Sequence, residues 1–106
     1  MAKHRYKIIT LCGSTKFKND FLREQKRLTL AGNVVISVGV FGHADNVRME
    51  DSIKIMLDDI HKQKIDMADE IFVINKGGYV GESTRNEINY AIVTGKPVRY
   101  MEKHCE

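Results

Sequence analysis

An α/β domain built on a parallel sheet is predicted by three features of this chain. Strand-like and helix-like segments alternate from one end to the other. Two of the strand-like runs, Ile8-Ile9-Thr10-Leu11-Cys12 and Ile71-Phe72-Val73-Ile74, are apolar on both faces, as strands covered by helices on each side must be. Each of those runs leads into a glycine-bearing turn, Gly13-Ser14-Thr15 and Gly77-Gly78-Tyr79-Val80-Gly81, where a parallel sheet hands over to its next helix.

Taken in order, Lys7-Ile8-Ile9-Thr10-Leu11-Cys12 forms the first strand. Gly13-Ser14-Thr15 breaks it and supplies N-cap residues for a helix over about residues 16–31. Phe17, Phe21 and Leu28 recur there at helical spacing, with Leu22 alongside, and Gly32-Asn33 ends the helix with residues that tolerate a left-handed backbone. Val34-Val35-Ile36-Ser37-Val38 is the second strand, rich in β-branched residues. After a loop through Gly39 and Asn46, a long helix over about residues 50–67 carries Ile53, Met56, Leu57 and Ile60 on its inner stripe. Ala68-Asp69-Glu70 turns into the third strand. The last helix opens at Glu82-Ser83-Thr84, with Ile88, Ala91 and Ile92 on its buried face, and ends at Gly95-Lys96-Pro97. Pro97-Val98-Arg99-Tyr100-Met101 is a short final strand. Right-handed crossovers leave few arrangements of four strands, and the order 2-1-3-4 brings both glycine-bearing turns to one crevice.

At 106 residues the chain fits a single domain over 1–106, with hydrophobic and charged fractions of 42% and 29% that are ordinary for a globular protein. Its apolar runs are strand-sized and its N-terminus lacks a signal-peptide core, so a cytoplasmic protein without a membrane span is expected. The net charge of +3 is modest and spread over helix faces, with no arginine-rich tract, which argues against a nucleic-acid polymer as partner. A mildly positive surface still suits a phosphorylated small molecule. Cys12 and Cys105 read as free thiols, Cys12 as a buried structural one because no histidine is evidently paired with it. His4, His43, His61 and His104 are scattered without metal-ligand spacing, so neither a metal centre nor a cofactor is expected.

Two places carry candidate chemistry. Gly13-Ser14-Thr15-Lys16 combines close backbone approach, a helix N-terminus and a positive charge, which suits a phosphate. It lacks the spacing of a Walker A loop, and a plain N-cap turn explains it equally well. Gly77, Gly78 and Gly81 clear side chains from the mouth of the sheet ahead of Glu82, Ser83 and Thr84, and a loop solving its backbone geometry would look the same. Glu87 fits the capping-box spacing from Thr84, yet it also lies on the edge of the helix's buried face, from which a carboxylate can enter the crevice. Asp69 lies ahead of the third strand, where helix termination or a turn is the simpler role.

Leu11-Cys12-Gly13-Ser14, Met67-Ala68-Asp69-Glu70-Ile71-Phe72-Val73, and Asn86-Glu87-Ile88-Asn89-Tyr90-Ala91 followed by Gly95-Lys96-Pro97-Val98 resemble the nucleoside 2-deoxyribosyltransferase superfamily. Within it the likeness is closer to the 2'-deoxynucleoside 5'-phosphate N-hydrolases. The resemblance implies a small Rossmann-like (flavodoxin-like) three-layer fold, a homodimer, and cleavage or transfer at an N-glycosidic bond without a cofactor. It places Glu87 on the nucleophile, Gly13 and Ser14 in the turn that contacts the sugar or its 5'-phosphate, Ser83 near another phosphate contact, and Asp69 on the Ala-Asp that begins the third strand. Cys12, Lys16, Gly81 and Glu82 fall beside these positions, and Thr10 stands where the family often carries a tyrosine. Three functions remain open at this point: an N-glycosidase or transferase, a non-catalytic nucleotide-binding module, and a small interaction domain whose glutamate caps a helix.

Overall fold

A computed structural model describes residues 4–103; Cys105 and His104 lie outside the described residues. The chain runs β1 (Ile8–Gly13), α1 (Lys18–Leu30), β2 (Val34–Ile36), α2 (Asp51–Met67), β3 (Glu70–Ile74), a 3-10 turn (Lys76–Gly78), α3 (Glu82–Val93) and β4 (Val98–Tyr100). Its four strands form one all-parallel sheet in the order β2-β1-β3-β4, a small Rossmann-like α/β fold. Among the described residues, no helix is long and apolar enough to cross a membrane.

Alternation along the strands sorts the core into two halves. Ile9 and Leu11 of β1 join Phe72 and Ile74 of β3 and pack on Phe21 and Leu28 of α1. Cys12 points the other way, with Ile71 and Val73, into the layer of Ile65 from α2 and Ile88 and Ala91 from α3. Register aligns Cys12 with Val73 and Gly13 with Ile74, so the two central strands end level with each other. Gly13 closes that end tightly. Its φ is +150°, and a Cβ there would stand 2.7 Å from the Ile74 carbonyl oxygen, so only glycine fits.

The structure corrects several details of the sequence reading. α1 starts at Lys18 behind an N-cap at Phe17 that makes no side-chain cap bond, so Gly13-Ser14-Thr15 is a linking turn and not a cap. Within it Ser14 Oγ accepts from the Lys16 N–H (3.3 Å) and Thr15 Oγ1 accepts from the His43 N–H (3.2 Å). Leu22 is exposed, while Asp20 and Glu24 are buried under ion pairs from Arg23 and Arg27. On α2 the buried residues are His61 and Ile65; Ile53, Met56 and Ile60 are exposed. Ile92 of α3 is exposed too, leaving Thr84, Ile88 and Ala91 as its inner face.

Candidate functional site at the carboxyl end of the sheet

Three elements deliver three reactive side chains to one point. Cys12 is the penultimate residue of β1 and is fully buried on the α2–α3 side of the sheet. His61 shares the inner face of α2 with Ile65, one turn further on. Glu87 lies between Thr84 and Ala91 on α3, beside the residues that dock that helix, and its side chain keeps 17% exposure. Cys12 Sγ stands 3.3 Å from His61 Nε2, and His61 Nε2 stands 3.6 Å from Glu87 Oε1.

The position of His61 follows from how α2 is tied down. Thr10 Oγ1 donates to the Lys64 carbonyl (2.8 Å), and Lys64 Nζ donates to the Ser37 carbonyl (2.8 Å). Lys96 Nζ donates to the carbonyls of Asp66 (3.1 Å) and Ala68 (2.7 Å), neutralising the negative end of the same helix. Tyr90 Oη donates to Asp66 (2.6 Å) and so links α3 to α2. Thr10 is thus an anchor for α2.

Burial decides the charge states. Desolvation and the nearby Asp58 carboxylate hold the Glu87 carboxyl up to about 8, against a gain from the Cys12 hydrogen bond that lowers it. Desolvation, helped by the positive charge of Lys64, brings the His61 imidazole down to about 4. Burial pushes the Cys12 thiol well above its ordinary value, and the neighbouring Glu87 adds to that. At neutral pH all three groups are therefore uncharged. The His61–Glu87 approach is a contact of neutral partners and not an ion pair, and Cys12 is a thiol and not a thiolate.

The sequence reading found Glu87 and Cys12 in this cluster and missed His61. Extending the helical spacing from Leu57 through His61 to Ile65 would have put the imidazole on the inner face. The reading that Cys12 has no histidine partner is overturned by the contact with His61. So is the absence of a metal-ligand grouping: the donor atoms of Cys12, His61 and Glu87 all lie within 4.8 Å of one another, a proximity their separation in sequence conceals. Nor is Glu87 part of a capping box, because the N-cap of α3 is Gly81 and carries no side-chain cap.

The remaining candidates fall into groups. Lys16 Nζ rests 3.6 Å over the Tyr79 ring, and Phe17 meets Tyr79 edge-on, so the turn after β1 and the glycine-rich crossing after β3 do touch. A hollow of about 260 Å³ lined by Lys16, Phe17, Lys18, Asp20 and Lys76 opens on the α1 side of the sheet, the opposite face from Glu87. Glu82 and Ser83 are exposed in the first turn of α3, behind the half-buried N-cap Gly81. Asp69 belongs to the other end of the sheet, where its carboxylate accepts from the Ile8 N–H (2.8 Å) and from Arg5 (3.3 Å). Asn75, just after β3, clamps the segment after β4 through both Glu102 backbone groups.

No protein-family model matches this chain, and no curated protein matches it.

Proposed function

We propose that this chain cleaves or transfers at the N-glycosidic bond of a deoxynucleoside or its 5'-monophosphate, with Glu87 as nucleophile. The observation that carries this reading is the Glu87 carboxyl, partly exposed and with an oxygen within 4.8 Å of the sulfur of Cys12, the residue that leads into the Gly13-Ser14 turn. Departure of a nucleobase leaves positive charge on the sugar, as in glycoside hydrolysis, and a carboxylate beside the anomeric carbon stabilises it and traps it as a glycosyl ester. Water then releases the sugar, or a second base accepts it. The Ser14 turn leads toward Lys16, which supports a 5'-phosphate lying across the end of β1. In the same reading the protein is a cytoplasmic homodimer of nucleotide metabolism.

A nucleophile must be ionised, and the free Glu87 carboxyl gives up its proton only at about 8. Base release should therefore rise with pH in kcat/KM through that region. A carboxyl serving as proton donor would give the opposite slope. The test is a panel of deoxynucleosides and their monophosphates, with free base resolved by chromatography. Glu87→Ala should lose roughly a thousandfold or more in rate. Release of base that survives Glu87→Ala would dismiss the assignment.

The second reading is a nucleotide-binding module without turnover. It is favoured by the same neutral, hemmed-in state of Glu87 at physiological pH. Thermal stabilisation by a deoxynucleoside monophosphate with no free base would select it.

A further inference from the structure

The edges of the Cys12–His61–Glu87 triangle carry information beyond the glycosidase reading. Two of them measure 3.3 Å from sulfur to nitrogen and 3.6 Å from nitrogen to oxygen, and the third, from sulfur to oxygen, is within 4.8 Å. A tetrahedral zinc ion, with bonds of about 2.3 Å to sulfur and about 2.0–2.1 Å to nitrogen and oxygen, holds its ligand atoms about 3.3–3.6 Å apart. The two edges that meet at the imidazole nitrogen already fall in that range, whereas 3.6 Å is too long for a direct hydrogen bond between imidazole and carboxyl. One sulfur, one imidazole nitrogen and one carboxylate oxygen suit a borderline-soft cation and differ from the all-oxygen sets that magnesium and calcium take.

We propose that Cys12 Sγ, His61 Nε2 and a Glu87 carboxylate oxygen form a zinc-binding site whose fourth coordination position is left for water or another small ligand. The charge balance favours it. Zinc brings two positive charges, the Cys12 thiol and the Glu87 carboxyl each release one proton to solvent, and neutral His61 contributes a lone pair. A neutral buried cluster is exchanged for a neutral buried complex, so no net charge is desolvated. The donors are also held in place: Cys12 sits in a paired strand, α2 is pinned through Thr10 and Lys64, and α3 docks through Thr84, Ile88 and Ala91. Three protein ligands and an open position make the site exchangeable. Zinc held by Glu87 would occupy the carboxylate that attacks the sugar, so metal and substrate would exclude each other. The site itself stands whether or not the glycosidase reading does.

Cobalt(II) is the probe, used on tag-free protein carrying Cys105→Ser so that Cys12 is the remaining thiol. One equivalent of cobalt should give a sulfur-to-cobalt charge-transfer band with tetrahedral visible absorption, both erased by adding zinc. The sulfur band should vanish in Cys12→Ser, with Cys12→Ala as the second variant if the first does not fold. Cobalt should bind His61→Gln and Glu87→Gln about tenfold or more weakly. A cobalt spectrum without the sulfur band, or one that persists in a folded Cys12 variant, overturns the proposal. Base release alongside a failed cobalt titration removes the zinc site alone; a cobalt signature without base release removes the glycosidase alone.

Discussion

Glu87 and His61 are a neutral pair with opposite displacements, and the folded chain's response to pH follows from that. The carboxyl stands at about 8 in the folded chain against an ordinary 4.5, and the imidazole at about 4 against 6.5. Between 4.5 and 6.5 the unfolded chain carries one proton on His61 and the folded chain carries one on Glu87, so the two contributions cancel. Above 6.5 the folded chain alone retains a proton, on Glu87, and stability falls as pH rises toward about 8. Below 4.5 the unfolded chain holds both protons, and stability falls with acid until His61 is charged near 4. Each limb slopes by at most about 1.4 kcal/mol per pH unit. The groups that set these limbs come from α2 and β1: Asp58 and Lys64 on the helix, and Cys12 on the strand beneath. Urea midpoints measured across pH should show the alkaline limb flattened in Glu87→Gln and the acid limb flattened in His61→Gln. An alkaline limb unchanged in Glu87→Gln would contradict the burial argument. At this scale the sequence exposed Glu87, because its place on the edge of a short amphipathic helix is periodic. It concealed the pairing of Cys12 with His61, because a contact between residues in β1 and α2 exists only once the crossover is built.

At the scale of elements, the strand order was legible because two apolar runs had to be central and right-handed crossovers did the rest. The inner face of α2 was not legible, and the reason is one of length. A helix of 17 residues spans about 25 Å, whereas the five residues of β3 span about 17 Å. α2 is therefore more than one turn longer than β3, and the apolar residues Ile53, Met56 and Ile60 ahead of its docked part are exposed. The docked part is held by a few polar ties, of which Thr10 to the Lys64 carbonyl is the most enclosed. Thr10→Val keeps the shape and leaves that carbonyl short of a partner, at a cost of about 1–3 kcal/mol. The exposed counterpart Thr29, bonded to the Gln25 carbonyl, should tolerate the same change within about 0.5 kcal/mol. Denaturant midpoints decide between them. Equal losses at both positions would mean that the tie through Thr10 has no special part in holding α2.

For the whole molecule, that exposed apolar stripe leads to a prediction about assembly. Ile53, Met56, Leu57 and Ile60 keep the spacing of an inner stripe, yet Ile53, Met56 and Ile60 are 40%, 48% and 41% exposed in the single chain. Ile55 of the same helix, and Ile92 and Val93 at the end of α3, add further exposed apolar surface. A sequence that patterns a helix for burial and a fold that leaves it in solvent are reconciled if a second copy covers the stripe. Two such helices related by a twofold axis present the same residues to each other, so one apolar stripe suffices for a closed pair. The expected outcome is a dimer by sedimentation at micromolar concentration. Met56→Glu together with Ile60→Glu should convert it to a monomer that keeps its helical circular dichroism, because neither side chain contributes to the buried core. A wild-type monomer at that concentration, or a dimer indifferent to both charges, would mean the stripe serves no self-association. Since the same helix carries His61, loss of the dimer should also loosen α2 and slow any chemistry at Glu87, which ties the assembly to the site through one element.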